Sequence, residues 1–254
     1  MTPKSEAALN EVLTAYSRGE MTLDTAMRRL VSHRGWIAPA PPLQDHYGWD
    51  GFSNVTAFSI EARLPANELW LFTDYAAVKR AQTAGAKLGP CAVSVAGVDL
   101  FAGLNPVWEL ARINVGSPAE LTLNVAKSAF DLARGWSVAI RLEDQLAQWA
   151  ASNAPPNEAV LRAHPEFLMF INPGGGVVTL RNTAGLTNGA ALFTAPDCCE
   201  AFLGRLTAEQ KGSFRQTQTT GAEILAKLPQ QGVDGLIINA FGPGTFYVVS
   251  FRGP

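Results

Sequence analysis

The sequence of 254 residues predicts an α+β fold of two related units in tandem, each a mixed or antiparallel sheet with helices on one face. The first observation behind this prediction is an internal repeat. The matched segments are residues 71–73 (Leu-Phe-Thr) with 192–194 (Leu-Phe-Thr), 97–104 with 221–228, and 113–114 (Ile-Asn) with 238–239 (Ile-Asn). The second is that predicted strands outnumber long helices, with connections too short for uniform parallel crossovers. The register shifts between the copies fall in predicted loops, as a duplication requires.

The composition is that of a soluble globular protein, with 47% hydrophobic residues and a formal net charge of −2. Such a chain, without a basic stripe, has no field that draws it to nucleic acid or to an anionic membrane, so we expect neither as a partner. No apolar run is long enough to cross a bilayer, and residues 1–10 do not resemble a signal peptide. Cys91, Cys198 and Cys199 are odd in number and include an adjacent pair, so we expect no disulfide framework and a cytoplasmic location.

A helical hairpin is predicted at the N-terminus. Apolar residues at helical spacing over 9–16 predict a helix that stops at Gly19, and Thr22 can cap a second helix. The predicted inward face of that second helix comprises Leu23, Ala26, Met27, Leu30 and Val31. We therefore expect two amphipathic helices to precede the first sheet.

The first unit continues with a strand start at 33–37, a Pro-rich loop over 38–43, and a loop over 44–54 rich in Gly, Asp and aromatic residues. Asp74 can cap a helix over 75–85. Further strands are predicted over 55–62, 68–73, 91–95, 108–115 and 120–125, with a short helix over 99–104.

A group of helices is predicted between the two sheets. One ends at Gly135, one covers 142–150, and a shorter one ends near His164. The second unit is then predicted to have strands over 177–181, 190–194, 214–219, 235–241 and 245–251, with helices over 196–206 and 223–228. The predicted domains are residues 1–125, with the hairpin and first unit, and 126–254, with the connecting helices and second unit.

The repeated pattern resembles the SseB-type domain, the family of the enhanced serine sensitivity protein, in two tandem copies. The second copy carries the resemblance most clearly, through residues 192–194, 221–228 and 232–239. The family's usual Asn-Pro after the last of these strands is Asn239-Ala240 here, and Asn114-Val115 in the first copy. The resemblance implies a small bacterial cytoplasmic protein that works as an interaction module, in some cases an immunity protein beside a toxin system. It supplies no catalytic residues.

His33 and His164 occupy matched positions in the repeat. We interpret both as helix C-terminal histidines favoured by the helix dipole, because no carboxylate or cysteine lies at metal-ligand spacing to either. The alternative is a pair of ligands or bases across a pseudo-two-fold axis. Neither a metal nor a cofactor is expected.

Three other motifs favour structural roles. Cys198-Cys199 lacks a CxxC pattern or a nearby histidine, so we expect at least one thiol to pack in the core. Residues 172–176 (Asn-Pro-Gly-Gly-Gly) precede a strand rather than a helix, which favours a hairpin turn over a phosphate loop. Glu143-Asp144 is interpreted as a solvated helix face. With no G-x-S-x-G motif either, no catalytic residue is assigned.

The loop over 44–54 is the best candidate for function, because it lies in an insertion that the second copy lacks. Aromatic side chains on a loop are strong anchors for a protein partner. The predicted partner-binding residues are His46, Tyr47, Trp49, Asp50 and Phe52. The alternative is that the loop folds back over its own sheet edge.

Three functional hypotheses follow from the sequence. The leading hypothesis is a non-enzymatic cytoplasmic protein that binds a bacterial protein partner, such as a toxin or a secretion-related protein, as an immunity or regulatory factor. The alternative is an enzyme or small-ligand protein with a polar pocket between the units, near His33, His164, Asn114 and Asn239. A self-associating module is a third possibility.

Overall fold

The computed structural model describes residues 3–39, 68–88, 92–102, 109–118, 120–124, 127–152, 154, 156–242 and 246–251. The chain divides into two compact units, Met1–Val138 and Ala139–Pro254, called unit 1 and unit 2 below. Both contain helices and mixed sheets, which confirms the predicted α+β class. No helix in the described ranges has the length and apolar character needed to span a membrane.

Unit 1 begins with the predicted helical hairpin. Its helices are α1 (Pro3–Ser17), α2 (Leu23–Ser32), α3 (Tyr75–Thr83), α4 (Gly97–Ala102) and the first half of α5 (Lys127–Ser152). The Thr22 side chain accepts a hydrogen bond from the backbone N–H of Thr25, and Asp74 accepts one from Ala77. Both predicted N-caps are therefore confirmed.

The strands of unit 1 are β1 (Trp36–Pro39), β2 (Glu68–Leu71), β3 (Ala92–Val95), β4 (Leu110–Ile113) and β5 (Leu121–Asn124). β2 is parallel to β4, and β4 is antiparallel to β5. β1 is antiparallel to β3, and a bridge between Ile37 and Phe72 connects β1 to the end of β2. Ala38 and Pro39 belong to β1 and pair with β3. The Pro-rich loop predicted over 38–43 therefore begins too early.

Unit 2 contains the second half of α5, α6 (Glu158–Ala163), α7 (Pro196–Leu203), α8 (Ala208–Ser213), α9 (Gly221–Lys227) and a 3₁₀ turn (Pro229–Gln231). Its strands are β6 (Phe167–Ile171), β7 (Thr179–Thr183), β8 (Leu186–Phe193), β9 (Arg215–Thr219), β10 (Gly235–Ile238) and β11 (Tyr247–Ser250). The strand order is β11-β10-β8-β6-β9, with β7 paired to β8. Only the β8–β10 pair is parallel among these described strands.

Helices cover both faces of the unit 2 sheet, which corrects the prediction of helices on one face. Phe167 of β6 packs in a core with residues of α5, α6 and α9, whereas the next residue, Leu168, packs in a core with α7. Successive strand residues point to opposite faces. The reason is that β6 and β8 are apolar at consecutive positions, so neither face of these strands can be left in water.

The strands of the two units are arranged in the same spatial order. In unit 1 the order is β5-β4-β2-β1-β3, with a parallel β2–β4 pair, and in unit 2 it is β11-β10-β8-β6-β9, with a parallel β8–β10 pair. This agreement is what the predicted tandem repeat requires. Duplication itself stays a prediction.

Two helices differ from the prediction. Gly135 lies inside α5 instead of ending a helix there, because the apolar face continues on both sides of it, with Ala133 and Trp136 buried. α8 was not predicted. Its sequence signal is the capping box of Thr207 and Gln210, in which each side chain bonds the other residue's backbone N–H.

Candidate functional site

A buried polar cluster joins the ends of two parallel strands in unit 2. Asn239 follows β10 and Thr194 follows β8. Asn239 Oδ1 accepts from the backbone N–H of Thr194 at 2.9 Å, and Asn239 Nδ2 donates to the Thr194 hydroxyl at 2.9 Å. That hydroxyl lies 2.8 Å from Glu143 Oε1 on α5. Glu143 is therefore part of an internal network, which corrects its interpretation as a solvated helix residue.

Unit 1 has the same arrangement at the ends of β2 and β4. Asn114 Oδ1 accepts from the backbone N–H of Thr73 at 3.0 Å and lies 3.2 Å from its hydroxyl. Asn114 Nδ2 donates to Asn10 of α1 at 3.1 Å. Asn114 and Asn239 are 1% and 3% exposed, and each fixes a strand end within its own unit. Their role in a pocket stays a prediction.

The turn after each asparagine reveals a difference that sequence reasoning missed. Ser117 N–H donates to Asn114 C=O at 3.1 Å, and Gly242 N–H donates to Asn239 C=O at 2.9 Å. The third residue of the first turn is Gly116, with φ 76°, whereas the third residue of the second turn is Phe241, with φ 61°. Positive φ at this position normally requires Gly or Asn.

Phe241 is also exposed. The residue is 52% exposed, and Phe246, on the other side of the same β10–β11 connection, is 51% exposed. The ring of Phe241 stacks on the buried Phe202 of α7 with centroids 6.3 Å apart. Phe202 in turn contacts Phe170 and Phe193 in the core. Phe241 and Phe246 are called the aromatic surface of unit 2 below.

Cys198 and Cys199 lie in the same core cluster as Phe202, on which Phe241 stacks. Both are 2% exposed and neither forms a disulfide. Burial, followed by the nearby carboxylates of Asp197 and Glu200, raises the pKa of Cys199 to about 12. The thiol stays protonated near neutral pH, so its role is packing, in agreement with the sequence interpretation. No group of three or more His, Cys, Asp or Glu side chains in the described residues could hold a metal ion.

The two matched histidines are both helix C-caps. His33 ends α2 and lies edge-on to Trp36, and His164 ends α6 and packs against Phe167 at 4.5 Å between centroids. Burial lowers the pKa of His164 to about 4, with a backbone hydrogen bond at Glu166 acting the other way. The predicted position is right, but stabilisation of a charged His164 by the helix dipole is wrong, since burial favours the neutral ring.

A depression of about 340 Å³ lies at the start of β9. Its walls are residues 171–173 and 175, at the end of β6 and in the following turn, and residues 212–215. That turn is the hairpin predicted for residues 172–176, because Ile171 bridges Val177 and Asn172 N–H donates to Gly176 C=O. Sequence reasoning missed the depression, which forms only when β6 and β9 pair.

The predicted partner-binding residues His46, Tyr47, Trp49, Asp50 and Phe52 lie outside the described residues. Their role stays a prediction. Comparison with protein-family models, curated proteins and solved structures found no match to this chain.

Proposed function

We propose that this chain is a non-enzymatic protein-binding module whose unit 2 engages a protein partner through Phe241 and Phe246. The observation that carries the proposal is the left-handed backbone of Phe241, with φ 61°, at a half-exposed aromatic residue. Strain of this kind persists where the surroundings impose it, and it concentrates at functional positions.

The energetics favour a contact role for this side chain. A non-glycine residue in the left-handed region costs about 1–2 kcal/mol, and an aromatic ring left half in water recovers little of its transfer free energy. Unit 1 has Gly116 at the matching place in its turn, where the same backbone carries no such penalty. Phe241 is thus costly to the isolated chain, and an aromatic anchor for a partner accounts for that cost.

The Phe241 ring is also held in place for binding. Stacking on Phe202 restricts the Phe241 ring before any partner arrives, so little side-chain entropy remains to be lost. The resemblance to SseB-type proteins favours a bacterial protein, such as a toxin or secretion-related factor, as the partner. The loop containing Tyr47 and Trp49 is a second proposed contact region.

The test is partner capture with single variants. Phe241→Gly removes the ring, and Gly adopts the positive φ of this position without strain. We therefore expect the variant to fold and to lose the partner. Tyr75→Ala is the matched control, because Tyr75 is 58% exposed but lies on α3 of unit 1. Retained capture by Phe241→Gly would remove Phe241 from the binding surface.

A further inference from the structure

β9 is an edge strand in the described part of the unit 2 sheet. Within the described chain it pairs only with β6. Its sequence is Arg-Gln-Thr-Gln-Thr, and Arg215, Gln216 and Gln218 are exposed. Edge strands are commonly protected by proline, lysine or a bulge, since their free N–H and C=O groups can pair with another chain. β9 contains no proline, lysine or bulge, and its one charged residue is Arg215 at its start.

The register identifies which backbone groups face outward. Phe170 of β6 accepts a hydrogen bond from Val178, so the backbone polar groups of Phe170 point away from β9. Gln216 lies opposite Phe170, and Gln218 lies opposite Leu168. Because hydrogen-bonded pairs alternate along an antiparallel ladder, Gln216 and Gln218 direct their N–H and C=O groups to the outer edge. An added strand could form hydrogen bonds with both.

The depression of about 340 Å³ lies where this edge begins. The Arg215 guanidinium supplies hydrogen-bond donors in its wall, and Phe214 and Ile171 supply apolar surface. None of the residues that line it is acidic, and the Arg215 side chain makes no ion pair or hydrogen bond with a described residue. It is therefore a small basic pocket next to an open strand edge.

We propose that β9 and this pocket bind an extended peptide that ends in a free α-carboxylate, with the peptide antiparallel to β9. In that direction the peptide's C-terminus lies beside Arg215, whose guanidinium can bind a carboxylate through paired N–H donors. A parallel peptide would place its N-terminal ammonium against Arg215, so charge selects the antiparallel direction. The backbones of Gln216 and Gln218 pair with the peptide backbone, and an apolar side chain at the peptide's C-terminus packs against Phe214.

This site is independent of the aromatic surface, since it uses other strands and other residues. The proposal concerns a class of ligand, a C-terminal segment of another polypeptide. An amidated peptide or an internal segment lacks the free α-carboxylate, so we expect it to bind weakly.

The test is selection of C-terminally displayed random heptapeptides on the full chain, followed by binding measurements with the selected peptides. Each peptide is made as the free acid and as the amide. Arg215→Gln removes the carboxylate ligand. Gln216→Pro removes only an outward N–H, and an edge strand tolerates proline at such a position. Arg205→Gln is the matched control, because Arg205 is exposed in unit 2 but does not line the pocket.

We expect amidation of the peptide and Arg215→Gln each to weaken binding by about tenfold or more, because each removes a charge-assisted hydrogen bond. Arg205→Gln leaves the affinity unchanged. Amide hydrogen exchange slows at Gln216 and Gln218 when the free-acid peptide binds, a readout that does not depend on any variant folding. No enriched peptide, equal binding of acid and amide, or unchanged exchange at both glutamines would each overturn the proposal.

Discussion

Asn239 holds the backbone of Thr194 from across the parallel β8–β10 pair, with its Oδ1 2.9 Å from the Thr194 nitrogen, although the two residues are 45 positions apart. Asn239 also adopts φ 57°, a conformation that Asn tolerates better than most residues. The same residue therefore starts the turn that presents Phe241 and satisfies a buried donor. Asn239 thus links the end of β8 to the turn that contains Phe241.

Replacing Asn239 with Ala is expected to lower the free energy of unfolding by about 2–4 kcal/mol, because the buried Thr194 N–H loses its acceptor and Ala is strained at positive φ. Asn182→Ala is the control, since Asn182 has φ 49° but is exposed. Asn182→Ala should lower the free energy of unfolding by about 1 kcal/mol, because only the strain of Ala at positive φ is added. Urea unfolding of both variants measures the difference, and equal losses would show that the Asn239 hydrogen bonds add nothing.

His164 makes stability depend on pH. Its folded-state pKa is about 4, below the ordinary value of 6.5, so between these values the unfolded chain binds more protons than the folded chain. The free energy of unfolding therefore rises as pH increases from about 4 to 6.5, by up to about 3 kcal/mol from this residue. Urea unfolding of the wild type and of His164→Gln across this range measures it. The same slope in both proteins would contradict the assignment.

Gly221 lies where no side chain fits. A Cβ added there would be 1.7 Å from the carbonyl oxygen of Leu161, while Gly221 N–H donates to His164 C=O at 3.0 Å. The clashing carbonyl belongs to the Leu161 backbone and cannot rotate away, so we expect Gly221→Ala to lower the free energy of unfolding by about 3 kcal/mol or more. Gly212→Ala is the control, because Gly212 lies in α8 and a Cβ added there meets nothing within 4 Å. It should be neutral or stabilising by up to about 1 kcal/mol.

Phe241→Gly is expected to leave the free energy of unfolding within about 1 kcal/mol of wild type. Relief of the left-handed strain offsets the lost stacking on Phe202 and the greater flexibility of Gly in the unfolded chain. Thermal unfolding checks this. A loss above about 2 kcal/mol would show that the ring serves the core rather than a partner.

Local signals in the sequence predicted much of the fold. Thr22 and Asp74 precede amphipathic segments, and both cap helices. Most strands lie within a few residues of their predicted positions, but β6 (Phe167–Ile171), an uninterrupted apolar run, is not among the predicted strands. Gly135 misled the prediction because packing of the surrounding helix overrides the intrinsic cost of one glycine.

The candidate sites were hidden for a different reason. Phe241 was predicted inside a strand over 235–241, because nothing in the residue type indicates positive φ. The depression beside Arg215 combines a turn with a strand that lies some forty residues further on, so it exists only after β6 and β9 pair. Sequence periodicity describes each element, but not which loops the topology brings together.

Quantitative capture from a lysate of the source cells tests whether unit 2 binds a protein through Phe241. The baits are the wild type, Phe241→Gly, Tyr75→Ala and the double variant Tyr47→Ala/Trp49→Ala. We predict a protein that wild type and Tyr75→Ala enrich equally and Phe241→Gly does not. Equal enrichment by wild type and Phe241→Gly would contradict the claim, and loss in the double variant alone would assign binding to the loop over 44–54.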